Sequence, residues 1–292
     1  MGGEDSPQAA ATEIRLIFEI LGKIGMKLCK WSTNSAELIE TLRGEFEFST
    51  EPSKLAIDEV FQHTDKKALG ILWNPLTDEF SFNAERIISE AKRIKDGLTK
   101  RQLFSLALTM YDPLGLINPT MMKGKRSMQT TWMSDIKWDQ LVSSDSTEVW
   151  EKFISGLEDL NQIWIPRWTG IDKNEPSELH IFCDASETAY GAVAYEKQGS
   201  KIALIAAKSK VAPLPKKAIS IPRLELLSNV MATILGQTIC DQHKQSHKTH
   251  VWTDSQISLC WITATDKQPE IWVQNRVAKI REFGAETHFC EG

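Results

Sequence analysis

Apolar positions change period several times along this 292-residue chain. Between residues 11 and 29 they recur at helical spacing: Ile14, Ile17, Phe18, Leu21, Ile24 and Leu28. Thr33-Asn34-Ser35 then reads as a turn. Ala68 to Trp73 is a short apolar run, Asn74 to Asp78 a turn, and Glu79 to Phe82 a returning strand, which together predict a hairpin. Residues 84–133 read as interrupted helix. Asn83 is placed to cap its first segment, a second runs from Lys100 to Met110 and a third from Thr120 to Trp132. Asp112-Pro113-Leu114-Gly115 breaks the pattern, because proline disfavours helix in the residue before it. Another helix is predicted around Thr147–Leu160, and Pro166 with Thr169-Gly170 marks a boundary.

The last 120 residues change character. Strands are predicted at Glu178–Cys183, Tyr190–Tyr195, Lys201–Lys208 and Thr249–Thr253, with a short final one at Glu286–Cys290. Long apolar-periodic stretches predict helices at Arg223–Asp241, Ser255–Ala264 and Trp272–Phe283. Three strands in a meander, a helix, a strand, helices and a strand make a mixed α/β sheet with carboxylates at strand ends.

Composition narrows the class. The apolar fraction is ordinary for a chain that buries a core. Five scattered cysteines, Cys29, Cys183, Cys240, Cys260 and Cys290, form no C-x-x-C pair and no disulfide framework. Met1 to Ala11 lacks a basic stretch followed by an apolar core, and no apolar run approaches the ~18 residues of a membrane span. The expectation is an intracellular, cytoplasmic chain that is neither secreted nor membrane-bound.

Three acids stand in unusual settings. Asp184 and Asp254 each end a strand that looks central, and Glu225 sits in an apolar helix as Leu224-Glu225-Leu226-Leu227. Buried carboxylates are costly unless something positive accompanies them, and Mg²⁺ prefers a few carboxylates with water and phosphate. The plainer alternatives stand beside this. A strand-end Asp usually serves a turn, Asp254-Ser255 suits a helix cap, and a lone helical Glu is usually solvated.

Asp184-Ala-Ser, Ala189-Tyr-Gly-Ala-Val, Ile221-Pro-Arg-Leu-Glu225-Leu and Trp252-Thr-Asp254-Ser-Gln, taken together, resemble the ribonuclease H domain of Bel/Pao-type retrotransposon polyproteins. The upstream half resembles the same family's reverse-transcriptase palm end, thumb and connection through Lys30-Trp31-x-x-Asn34, Leu69-Gly70-x-x-Trp73-Asn74, Thr99-Lys-Arg-Gln102, Tyr111-Asp-Pro-Leu-Gly-Leu-Ile-Asn-Pro119 and Gln129-x-x-Trp132. The resemblance implies a partial palm over 1–83, a helical thumb/connection over 84–170, and an RNase H-like mixed five-stranded sheet with flanking helices over 171–292. It implies two Mg²⁺ or Mn²⁺ ions held by Asp184, Glu225 and Asp254, with Asp184 bridging both. The reaction it implies is hydrolysis of the RNA strand of RNA–DNA hybrids. The rest of the polyprotein becomes a partner and virus-like particles a location. The polymerase signature Tyr-x-Asp-Asp is absent, so no DNA synthesis is expected. The family's fourth RNase H carboxylate lies past the last strand, beyond Gly292, and its loss is expected to weaken water activation. The family region also carries a peptidase label, but no Asp-Ser/Thr-Gly occurs to support an aspartic protease. The alternative is a non-catalytic nucleic-acid-binding remnant or a decayed copy.

The net charge of −5 argues against a polynucleotide partner only as a total. Residues 1–60 hold 11 acids and 6 bases, which accounts for the whole deficit. Residues 86–126 carry nine bases against three acids, and 197–225 seven against one, that one being Glu225. These segments nominate Lys100, Arg101, Lys123, Lys125, Arg126, Lys208, Lys210, Lys216, Lys217 and Arg223 as phosphate contacts. Trp31, Trp73 and Trp132 are core aromatics before they are base-stacking ones. Cys240-x-x-His243-x-x-x-His247-x-x-His250 has metal-ligand residue types, but its interleaved lysines favour a solvated linker.

Overall fold

The predicted strands and helices of the C-terminal part all form; its first four strands run slightly longer than the sequence suggests and the last one residue shorter. The computed structural model describes residues 4, 6–26, 33–42, 66–68, 70–94, 97–172, 174–214, 219–243, 248–265 and 269–292. The chain divides into two compact units. One comprises Met1–Ala68, Leu72–Ser81 and Trp164–Arg167; the other comprises Leu69–Ile71, Phe82–Ile163 and Trp168–Gly292.

In the first unit, helix α1 spans Pro7–Lys23. The helix begins four residues before the predicted start, because Ser6 caps it by accepting the Ala9 N–H and Pro7 suits its first turn. It ends before Ile24; of the predicted apolar stripe, Ile14, Phe18 and Leu21 are half-buried, whereas Ile17 and Ile24 are exposed. Leu28 lies outside the described residues. Helix α2 spans Ala36–Leu42. The predicted hairpin forms between β2 (Ile71–Asn74) and β3 (Glu79–Ser81), with Leu72 opposite Ser81. Strand β1 (Lys66–Ala68) flanks β2, and β4 (Ile165–Pro166) flanks β3. The turn is held by Asp78, which takes a hydrogen bond from the Trp73 indole at 2.9 Å and a two-pronged ion pair from Arg167. Trp73 is therefore spent on structure.

The second unit opens with four helices, α3 (Glu85–Arg93), α4 (Lys100–Ala107), α5 (Asn118–Met133) and α6 (Ser144–Leu157). Asn83 accepts the Glu85 N–H at the start of α3, as its position suggests. Thr99 and Gln102 close a reciprocal capping box on α4, which stops three residues short of Met110. Ile87, Leu103, Met121, Trp150, Phe153 and Leu157 fill the core between these helices.

The rest is one five-stranded sheet, in the order β7-β6-β5-β8-β9. Its strands are β5 (Glu178–Ala185), β6 (Ala189–Gln198), β7 (Lys201–Val211), β8 (Lys248–Thr253) and β9 (Glu286–Phe289). The first three form an antiparallel meander, and β8 and β9 add in parallel, as expected for a mixed sheet. Helix α7 (Ile221–His243) lays Met231, Ala232 and Leu235 on Leu179, Ile181 and Val251. Gly236 permits this approach, because a Cβ there would sit 2.6 Å from Ile181 Cδ1. Helices α8 (Gln256–Thr263) and α9 (Ile271–Phe283) close a second cluster with Leu226, Ile262, Val273 and Val277.

The Asp112-Pro113-Leu114-Gly115 break has a structural purpose. Asp112 accepts the Leu116 and Ile117 N–H groups, and the Leu114 carbonyl takes the Ala207 N–H of β7 at 2.8 Å. Gly115 adopts φ +74°, and a Cβ there would lie 1.9 Å from the Ala207 carbonyl oxygen. The loop thus seats the helices against the outermost strand. Among the described residues no helix is long and apolar enough to cross a membrane.

Candidate metal centre

Asp184 and Asp254 reach the same level because β5 and β8 are parallel neighbours. Cys183 pairs with Thr253, so the next residue on each strand is an aspartate. Cys183 and Thr253 are buried, while Asp184 and Asp254 are exposed. Burial pushes the Cys183 thiol up to about 12, so it stays protonated and contributes neither nucleophile nor ligand. Glu225 arrives from the second turn of α7 and is only 6% exposed. One carboxylate oxygen from each of the three lies within 4.8 Å of the others.

This cluster is electrostatically incomplete. Glu225 Oε2 is buried without a hydrogen-bond partner among the described residues. Burial, then the charges of Asp184 and Asp254, push the Glu225 carboxyl up to about 7, against an opposing pull from the Ala185 amide. A buried carboxylate with one orphan oxygen, clustered with two more carboxylates, fits a hard divalent cation, which takes oxygen ligands and removes the repulsion. The residues present therefore suit such an ion.

The supporting contacts explain the geometry. Ser228 and Asn229 donate to the Glu225 carbonyl at 2.7 and 3.0 Å, and Asn229 Nδ2 also reaches Thr253 Oγ1 at 3.4 Å. Asn229, fully buried, thereby ties the Glu225 turn to the strand that delivers Asp254. Sequence reasoning missed it; the available signal was Ser228-Asn229, a polar pair inside an apolar helix. The plainer roles for the aspartates fall to their neighbours. Ser255 caps α8 by accepting the Ser258 N–H, which leaves the Asp254 carboxylate to face Asp184. Ser186 accepts the Thr188 and Ala189 N–H groups and shapes the β5–β6 turn.

Asp184 and Asp254 open onto a cleft of about 700 Å³. Asp184, Asp254, Tyr190, Phe182, Trp252 and Lys208 are among the residues that line it. Of the nominated phosphate contacts, Lys208 and Lys210 are exposed on alternate positions of β7, and Lys123 and Arg126 are exposed on α5. Lys125 is half-buried, and desolvation holds its ammonium below the ordinary lysine range despite Asp112 nearby. Lys100 is 3% exposed: its Nζ donates to the Ile136 carbonyl and lies 3.6 Å from the centre of the Trp132 ring. Trp132 is 53% exposed, packs edge-on against Phe104 and Trp138, and covers Lys100, which is thereby withdrawn from any phosphate. Arg101 forms a two-pronged pair with Asp139, and Arg223 pairs with Glu270 beside the Trp272 ring. Lys216, Lys217 and Trp31 lie outside the described residues.

The family described as Pao retrotransposon-like RNaseH-like domain matches residues 99–255. No curated protein matches the sequence. Among solved structures, the foamy viral protease-reverse transcriptase in complex with double-stranded DNA is 15% identical over 78% of this chain and 45% of its own, with a TM-score of 0.49. The same viral protein with an RNA/DNA hybrid gives 13% identity over 77% of this chain and 29% of its own, at TM-score 0.48. RNase H1 from the archaeon Halobacterium salinarum is 12% identical over 39% of this chain and 86% of its own, at TM-score 0.31. The chain thus spans under half the length of the viral polypeptides.

Proposed function

The chain belongs to the Pao retrotransposon-like RNaseH-like domain family, and on that premise we propose that it hydrolyses the RNA strand of RNA–DNA hybrids with Mg²⁺ or Mn²⁺. The observation that carries this reading is the convergence of Asp184, Glu225 and Asp254 around a buried, unpartnered Glu225 oxygen. Two bound ions would supply an activated water on one side of the phosphodiester and charge neutralisation of the leaving oxygen on the other. Asp184, Glu225 and Asp254 would hold these ions. Asn229 holds the Glu225 turn in register with β8. Lys208, on the wall of the same cleft, is placed to meet a phosphate. Residues 1–83 and 84–170 are read as a partial palm and a thumb/connection. Without Tyr-x-Asp-Asp they carry no polymerase chemistry, and the chain works beside the rest of a retrotransposon polyprotein.

The test is cleavage of a hybrid with labelled RNA, in Mg²⁺ and in Mn²⁺. The expected result is metal-dependent cleavage that falls by more than about 100-fold in Asp184→Asn and Asp254→Asn, since even the outer partners of metal ligands cost about 10- to 100-fold. Cleavage that survives either substitution, or none above the variants' background, overturns the proposal.

A further inference from the structure

The sheet carries a second cluster of ligand atoms, on β8 and β9. His250 pairs with Glu286 and Trp252 with His288 across these strands, and side chains two apart share a face. His250 Nδ1 lies 2.8 Å from His288 Nε2 and 3.4 Å from Glu286 Oε2; His288 Nε2 lies 3.7 Å from the same oxygen. Both rings are held by stacking, His250 on His180 at 5.0 Å and His288 on Trp252 at 4.6 Å between ring centres. Glu286 gives its other oxygen, Oε1, to Lys248 at 3.5 Å, so Oε2 is turned to the imidazoles.

Proton bookkeeping separates this trio from the adjacent Glu178, His180 and His250, which also lie close together. His180 Nδ1 accepts the Trp252 indole N–H at 3.1 Å. Neutral His180 therefore carries its hydrogen on Nε2, which faces Glu178 Oε2 at 3.3 Å and has no lone pair to offer. At His250 and His288 two ring nitrogens face each other, so at least one already presents a lone pair. Transfer of the single shared hydrogen to the far nitrogen of its own ring leaves two lone pairs and a carboxylate around one point, with both imidazoles neutral. The edges of a tetrahedral site with ligands about 2.0–2.1 Å from zinc are about 3.3 Å long, and the three separations, 2.8 to 3.7 Å, bracket that length.

We propose that His250 Nδ1, His288 Nε2 and Glu286 Oε2 form a zinc site, with water in the fourth position, distinct from the carboxylate centre. His250, on β8, precedes Asp254, just past the strand's end, by four residues, about 13 Å of extended chain. Binding fixes each imidazole in the tautomer whose hydrogen sits on the far ring nitrogen and clips the four-residue β9 to β8. The ligand set mixes nitrogen and oxygen, which suits zinc and not Mg²⁺.

Co²⁺ substitution tests this on the full, chelator-treated chain. The expected result is a strong visible absorption of tetrahedral Co²⁺ that saturates at one equivalent and is displaced by Zn²⁺. Co²⁺ held by oxygen ligands alone at the carboxylate centre is six-coordinate and absorbs weakly, so the two sites are distinguishable. The band is retained in the Asp184→Asn/Asp254→Asn double variant and lost in His288→Gln and Glu286→Gln, with far-ultraviolet circular dichroism unchanged. Should His288→Gln fail to fold, Glu286→Gln decides, because Glu286 is half exposed. No band, a band unchanged in Glu286→Gln, or a band that vanishes with the aspartates overturns the proposal.

Discussion

At the scale of single residues, Glu225 is a carboxyl that folding makes a weaker acid. Its native value of about 7 lies above the ordinary 4.5. Between those values the native state binds more protons than the unfolded chain, so stability falls as pH rises through that window and levels off above it. The metal-free protein is therefore expected to show a falling urea midpoint from about pH 4.5 to 7, a slope that Glu225→Gln removes. Equal slopes in both proteins would exclude Glu225 as the cause. Saturating divalent cation flattens the same slope in the native sequence, because it holds the carboxylate deprotonated. The sequence disclosed Glu225 as an acid stranded in an apolar helix. It could not disclose that Lys100, counted among the phosphate contacts, is buried beneath Trp132. A lysine stem is apolar enough to pack, and a charge count cannot see where its head ends up.

At the scale of elements, the two aspartates were legible because the runs Glu178–Cys183 and Thr249–Thr253 each meet an acid. Parallel pairing of those strands, which sets the two aspartates level, is a long-range fact that spacing alone does not carry. The same holds for His250. Its neighbours in sequence, Cys240, His243 and His247, suggested a local metal motif, whereas its nearest ligand partners come from β9, 36 and 38 residues away. The residues of that local motif do not test it: His247 and the His243 side chain lie outside the described residues, and Cys240 Sγ sits 3.8 Å from Thr249 Oγ1. Proline punctuation located the Asp112–Gly115 turn, but its contact with β7 was invisible. Gly115→Ala puts a side chain at φ +74° and into the Ala207 carbonyl. It is expected to cost about 1–3 kcal/mol, seen as a lower urea midpoint at unchanged slope. An unaltered midpoint would show that the loop is not seated as described.

At the scale of the whole molecule, sign is distributed by unit. The acidic excess sits in residues 1–60, and both basic segments fall within the second unit, the one with the carboxylates. Hybrid affinity is expected to fall steeply with salt, and Lys208→Ala/Lys210→Ala to flatten the log–log slope by about two, one for each phosphate that no longer meets a lysine. Fluorescence anisotropy at several ionic strengths measures it. A slope near zero, or one the double variant leaves unchanged, removes these lysines from the interface. Arg101 and Arg223, already paired with Asp139 and Glu270, are expected to contribute little to that slope.

The loop on β7 has one more consequence, for solubility. An eleven-residue strand at the margin of a sheet is a template on which another copy can pair. Here the Leu114 carbonyl occupies a backbone donor at Ala207, Gly115 presses on the carbonyl beside it, and the exposed Lys201, Lys208 and Lys210 supply like charge along the strand. The turn that seats the helices also acts as a gatekeeper against edge-to-edge aggregation.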